Sequence, residues 1–275
     1  MRGRVGVRST PRGGFGNRVL SYLSVRHLAR LVEADYFFEN PTDRRLIAGI
    51  HRPPRLPRWI APEQSFRASE TGAPSFVDDI ASMVSRGTNA VFKGPLLGEV
   101  LVRVADCDSR VFATLSVTQC YEHTAARGDK KLVTAHLRAG DFRDWEPKAI
   151  LPAEYYITAL ESLDTLGPGT SQVRVCVDEP SHPALSDLQD FLAEKGVLAP
   201  AVTCPDPFQC DLAAMAESDV LVSSPSTYAL VAGMLGTPRV IHSRDWIENR
   251  VSRGEEFWRR IGEGTFPGYS LKKLV

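Results

Sequence analysis

The sequence predicts an α/β protein of two Rossmann-like lobes facing a cleft. Three observations carry the prediction. Through residues 131–242, short apolar runs alternate with stretches of helical period, the rhythm of βαβ units around a parallel sheet. A less regular version of the same rhythm opens the chain, and the polar passage "HTAARGDKK" (123–131) separates the two. With 275 residues, 43% of them hydrophobic, the chain can build two cores. The expected division is an N-terminal lobe over 1–127 and a C-terminal lobe over 128–275.

In the N-terminal lobe "RVGVRS" reads as a short strand, followed by a glycine-rich turn and a helix from about Asn17 to Val32. "DYFF" is the next strand. Residues 41–74, which include "HRPPRLPRWIAP", are too long for an ordinary loop and predict an excursion or a lid. Two readings of it stand side by side: a solvated, proline-stiffened loop, or an acceptor-binding lid carrying Arg55 and Trp59. "DDIASMVSR", "AVF", "LLGEVLVRVAD" and "RVFATLS" continue a mixed pattern. In the C-terminal lobe "KLVTAHLR", "QVRVCVD", "APAVTC", "DVLVSS" and "PRVIHS" read as strands. The segments "PAEYYITALESLD", "SHPALSDLQDFLAEKG", "PFQCDLAAMAES" and "STYALVAGMLG" read as the helices between them.

Thirty-three basic and 33 acidic residues balance, which gives no reason to expect a nucleic-acid partner or an anionic membrane surface. No apolar run reaches the ~18 residues of a membrane span, and "MRGRVGVRST" lacks the apolar core of a secretion signal. The expectation is a cytoplasmic protein. The five cysteines (107, 120, 176, 204 and 210) form no C-x-x-C pair and are expected to be reduced, with Cys176 acting as a small buried hydrophobe.

Open parallel sheets hold ligands beyond the carboxyl ends of their strands. Three such ends carry chemistry here. After residues 131–137 come His136, Arg138, Gly140 and Asp141; after 172–177 comes Asp178; after 220–222 come Ser223, Ser224, Ser226 and Thr227, opening a helix. A helix start has amides without partners and a favourable macrodipole for anions, and Arg138 adds a fork of donors suited to phosphate oxygens. Each feature also has a plain structural reading: an N-cap, a structural histidine, an Arg138–Asp141 salt bridge. Their joint placement describes a diphosphate clamp.

Four blocks resemble a known family. "GGFGNRVLSYLSVRHLA" (13–29) is similar to the GG-x-GNQ-x-x-x-Y opening of the fucosyltransferase superfamily, which includes bacterial alpha-1,2-fucosyltransferases and protein O-fucosyltransferases. "HLRAGDF", "VCVDEPSHP" and "CDLAAMAESDVLVSSPSTYALVAGMLG" resemble its later blocks, in the same order. The resemblance implies the GT-B arrangement, with a C-terminal helix ("WIENRVSRGEEFWRRIG") returning to the first lobe. It implies a hexosyltransferase that moves fucose or a similar sugar from a GDP-sugar to an acceptor hydroxyl, with inversion and without a metal or other cofactor. By resemblance Gly14, Gly16 and Asn17 face the donor, with Asn17 reaching the sugar or diphosphate. His136 contacts the nucleotide and Arg138 binds the β-phosphate. Asp211 reads guanine, Ser226 and Thr227 hold phosphate, and Asp178 lies at the donor site.

The chain departs from the family pattern at Arg18, which stands where glutamine is usual, and at "YALVAG", where a tryptophan pair is common. The acceptor is left unassigned: glycan, peptide side chain or small metabolite. Asp141, Asp144 and Glu39 are the candidates for its general base. Two alternatives are a metal-dependent glycosyltransferase using Asp106 and Asp108 with another donor, and a non-catalytic nucleotide-binding module of the same fold.

Overall fold

The computed structural model describes residues 3–8, 14–38, 47–48, 62–67, 75–93, 102, 116–117, 129–197, 199, 207–236, 238–266, 269 and 271–275. Glu39, Arg55, Trp59, Asp106 and Asp108 lie outside the described residues, as does nearly all of the strand expected at 199–204. The chain divides into two compact units. One comprises Met1–Ser116 with Gly254–Arg260 and Phe266–Gly268; the other comprises Val117–Arg253, Ile261–Thr265 and Tyr269–Val275.

In the first unit β1 (Arg4–Arg8) leads to α1 (Phe15–Leu31) and β2 (Asp35–Phe38). The short strand β3 (Ile47–Ala48) follows, then β4 (Glu63–Arg67), α2 (Phe76–Ser85) and β5 (Asn89–Lys93). The sheet order is β2-β1-β5-β4 and every pairing is parallel. The side of α1 bearing Val19, Leu20, Leu23 and Leu28 is fully buried. The helix begins earlier than the sequence suggests: Gly14 is its N-cap, with no side-chain cap bond. Gly16 and Asn17 therefore lie in the first helical turn and not in a loop. Within the excursion or lid expected over 41–74 lies the strand β4, which the sequence does not signal. Its sequence, EQSFR, is polar, and Gln64 and Ser65 are exposed at the sheet edge, so it carries little apolar signal.

A two-residue strand β6 (Ser116–Val117), paired with β3, precedes the second sheet. That sheet's elements follow in turn: β7 (Lys131–Leu137), α3 (Phe142–Trp145), α4 (Ala153–Glu161), β8 (Ser171–Val177), α5 (Leu185–Glu194) and α6 (Pro207–Glu217). They continue with β9 (Val220–Val222), α7 (Thr227–Leu235), β10 (Arg239–His242), α8 (Arg244–Ser252), α9 (Glu256–Gly262) and β11 (Leu271–Leu274). The order is β11-β10-β9-β7-β8, all parallel. The parallel α/β architecture read from the sequence is therefore present. The single C-terminal helix expected over residues 246–262 is instead two helices, broken at Gly254 with φ +77°. The edge strand β11 (LKKL) was not anticipated.

The alternation along β7 explains the layering. Val133, Ala135 and Leu137 pack into a core with Tyr156 and Leu160 of α4, Leu188 and Leu192 of α5, and Val222 of β9. The alternate residues Thr134 and His136 point the other way, and Thr134 Oγ1 donates to Ala214 O of α6 at 3.1 Å. The helix α7 is buried continuously from Tyr228 to Met234, as its apolar sequence TYALVAGML requires. α5 ends at Lys195, and Gly196 takes the left-handed φ of +64° that only glycine adopts freely.

Among the described cysteines, Cys176 is free and buried, but Cys210 is disulfide-bonded, which corrects the expectation that all five are reduced. Its partner lies outside the described residues. Among the described residues no helix is long and apolar enough to cross a membrane.

Gly236 closes α7 against the end of α6: a Cβ there would stand 1.9 Å from the carbonyl oxygen of Ala216. Backbone cannot yield as a side chain can, so Gly236→Ala is expected to cost about 1–3 kcal/mol. A melt followed by circular dichroism should show a clearly lowered midpoint; an unchanged midpoint contradicts the packing described.

Candidate active site in the C-terminal unit

The order β8-β7-β9 places the reversal of chain winding between β7 and β9: β7 continues by α4 to β8 on one side, and β9 by α7 to β10 on the other. Loops leaving the two strands diverge there, and ligands of such sheets bind at that point. Arg138 and Asp141 follow β7; Ser223, Ser224, Ser226 and Thr227 follow β9; Asp178 follows β8.

His136 joins the two diverging strand ends. Its Nδ1 is 2.7 Å from Ser224 Oγ, its ring centroid is 5.7 Å from that of Tyr228 in α7, and its carbonyl accepts from Tyr156 Oη at 3.2 Å. Burial, reinforced by the nearby Arg138 and His182, lowers its pKa from 6.5 to about 3. The ring is therefore neutral at physiological pH and acts as a brace between β7 and β9.

Arg138 is clamped by two carboxylates. Its Nη1 is 3.0 Å from Asp178 Oδ2 and its Nη2 is 2.7 Å from Asp141 Oδ1, and the guanidinium carbon lies 5.7 Å from the centroid of the Phe142 ring. The third nitrogen, Nε, is buried without an acceptor. Asp178 is itself anchored, because its Oδ1 accepts from Ala139 N–H at 2.9 Å. The glycine at 140 makes room for this arrangement: a Cβ there would be 2.5 Å from Asp178 Oδ2 and 3.8 Å from the guanidinium carbon. A second link between the same loops runs from Arg143 Nε to Glu179 Oε1 at 2.7 Å, and it lowers the Glu179 pKa.

Ser226 is the N-cap of α7. Its side chain accepts from Tyr228 N–H at 3.2 Å, so one hydroxyl lone pair already serves the helix. Thr227, the first residue of α7, is half-buried. Asp211 lies in the second turn of α6, not the first. Burial pushes its pKa up from 3.8 to about 6, against a hydrogen bond with the Cys176 thiol, and Asp178 adds to the rise. Burial, with Asp211 next in size, in turn holds the Cys176 thiol well above its usual range. Sequence reading missed this thiol–carboxylate pair. No local signal points to it, because the partners lie on different elements 35 positions apart.

The second unit thus brings together Arg138, Asp141 and Asp178, joins His136 to Ser224, and sets Asp211 within the field of Asp178. Asp141 and Asp144 are exposed, and Asp144 stands in the first turn of α3. Gly14, Gly16 and Asn17 belong to the first unit, at the start of α1. Gly14 is exposed, with open space around its Cβ position, and Asn17 Oδ1 is buried without a hydrogen-bond partner. Among the described residues no group of three His, Cys, Asp or Glu side chains is placed to hold a metal ion.

The fold is that of fucosyltransferases. The chain is similar to a mutant of Arabidopsis thaliana FUT1 in complex with GDP, with TM-score 0.55 and 13% identity over 86% of this chain and 70% of that one. It is also similar to fucosyltransferase NodZ from Bradyrhizobium, with TM-score 0.52 and 14% identity over 87% and 95% of the two chains. NodZ alpha-1,6-fucosyltransferase soaked with GDP-fucose matches with TM-score 0.51 and 14% identity, over 87% and 94%. No protein-family model and no curated protein matches the chain.

The raised pKa of Asp211 has a consequence for stability. A carboxyl with a folded pKa near 6 binds its proton more tightly than the unfolded chain, whose value is about 3.9. Stability therefore falls as pH rises through about 4 to 6, and the penalty is fully present above 6. Asp211→Asn is expected to melt higher than the unmodified protein at pH 7.5, with the gain gone by about pH 4. Differential scanning calorimetry at both pH values checks this; a lower melting point at pH 7.5 contradicts it.

Proposed function

We propose that the protein is a GDP-sugar-dependent glycosyltransferase that moves fucose, or a similar sugar, to an acceptor hydroxyl with inversion. The reading is carried by one observation: at the winding reversal of a parallel sheet, the loop bearing Arg138 leaves β7 and the loop that opens α7 leaves β9, and His136 bonded to Ser224 joins the two strand ends. Its support is the fold held in common with proteins crystallised with GDP and GDP-fucose.

In the proposed reaction the bond between the sugar's anomeric carbon and the β-phosphate oxygen breaks, and its electron pair stays with the departing GDP. The acceptor oxygen bonds to the opposite face of the carbon and gives its proton to a base. Positive charge grows on the sugar ring while negative charge grows on the diphosphate. Arg138 and the first amides of α7, with Ser226 and Thr227, neutralise that negative charge without a cation. Preorganised donors of this kind carry a large share of catalysis, and removing one commonly costs about 10²–10³-fold in rate. His136, neutral and braced on Ser224, keeps the β7 and β9 ends at a fixed spacing. Asp211 reads guanine, because a carboxylate accepts from the adjacent N1–H and N2–H of that base, and adenine does not offer this pair. Asp141 and Asp144 remain the described candidates for the base.

Two measurements test the reading. Arg138→Ala is expected to lose transfer from GDP-fucose by at least about 10²-fold while remaining folded. Near-normal turnover removes Arg138 from the mechanism, and unchanged activity in excess chelator is the expected result for the metal-free clamp. In calorimetric titrations GDP is expected to bind in preference to ADP, with the preference falling as pH drops through about 6 and Asp211 takes up its proton. The GDP-to-ADP ratio cancels the titration of the phosphates themselves. A ratio that is flat across pH 5–7.5 overturns the role of Asp211.

A further inference from the structure

The two carboxylates on Arg138 are built differently. The Asp178 side chain is 15% exposed. It is fixed from two sides, by the Ala139 amide and by Arg138, and it fills the volume left free by the absent Cβ of Gly140. Asp141 is 62% exposed. Its described side-chain contact is the single bond from Arg138 Nη2, and it stands exposed in the turn between β7 and α3. An exposed ion pair of this kind is weak, whereas a carboxylate tied to a backbone amide and a guanidinium together is held firmly. The same Arg138 edge that Asp141 occupies is therefore the edge most easily vacated.

We propose that Asp178 and Asp141 have opposite tasks toward a bound diphosphate: Asp178 orients the Arg138 guanidinium, and Asp141 is an internal anion that occupies the phosphate-facing edge of Arg138 until the nucleotide displaces it. This inference rests on the assignment of Arg138 to diphosphate binding made above. Two features of the geometry carry it. Arg138 already carries a carboxylate on each terminal nitrogen, so a diphosphate that takes the Nη2 edge must share it with Asp141 or replace it. Asp141 can leave without opening the bond from a backbone amide that holds Asp178. Once displaced, Asp141 is a free carboxylate beside the donor, while Asp178 keeps the guanidinium plane in place.

The proposal predicts effects of opposite sign. In calorimetric titrations with GDP, Asp141→Asn is expected to bind about two- to fivefold more tightly than the unmodified protein, because the competing ion pair is gone. Asp178→Asn and Gly140→Ala are each expected to bind GDP more weakly by at least as large a factor. Thermal melts of all variants identify any that fail to fold. Gly140→Ala keeps every charge in place and so tests orientation separately from charge. Weaker GDP binding by Asp141→Asn, with Arg138→Ala also weakened, overturns the proposal and leaves the assignment of Arg138 standing. Unaltered GDP binding by Arg138→Ala overturns that assignment, and the proposal with it.

Discussion

A neutral histidine bridging two parallel strands is the interaction on which the candidate site depends. His136 holds Ser224 at 2.7 Å across the point where the winding of the second sheet reverses. That bond extends the β7–β9 ladder, whose last pair is Ala135 with Val222, and ties the loop bearing Arg138 to the loop that opens α7. Burial holds its pKa near 3, well below the ordinary value near 6.5, so protonating the ring opposes the fold. In acid this becomes a weakness: the unfolded chain takes up the proton below about pH 6.5 and the folded one does not until about pH 3, so stability is lost through that window. His242, lowered to about 4 by burial and bonded to Tyr269, adds to the loss.

Around that brace the charges are arranged in tension. A half-buried guanidinium meets two carboxylates, while a third carboxyl, Asp211, is desolvated until its pKa approaches 6. A chain selected for stability alone has little use for a carboxyl in that state. A raised carboxyl pKa beside charged partners and a strand-end helix start is the pattern expected of a ligand site. The room left by Gly140, the anchored Asp178 and the loosely held Asp141 suit a guanidinium that changes partners without changing orientation.

Much of the second unit was legible from its pattern. Buried parallel strands such as "KLVTAHL" and "QVRVCV" have short apolar runs bounded by turn residues, and the helices between them have a helical period. The residues at strand ends could be named before any coordinate, because a parallel sheet sends all its carboxyl ends to one edge. The polar edge strand β4 and the C-terminal strand β11 were not legible: an edge strand has half its ladder unpaired and little need of apolar side chains. The break at Gly254, within a sequence that otherwise reads as one helix, also went unseen.

The sequence by itself determined the fold class, the order of the strands' chemistry-bearing ends and the identity of the residues placed there, since periodicity and the resemblance of four ordered blocks are local properties. Only the tertiary structure decided which of those residues touch. That His136 faces Ser224 and not solvent, that Asp178 is tied down while Asp141 is exposed, and that a thiol on β8 meets Asp211 on α6 all follow from strand order and helix packing. These contacts join residues 35 to 88 positions apart or differ only in burial, and no local pattern encodes either.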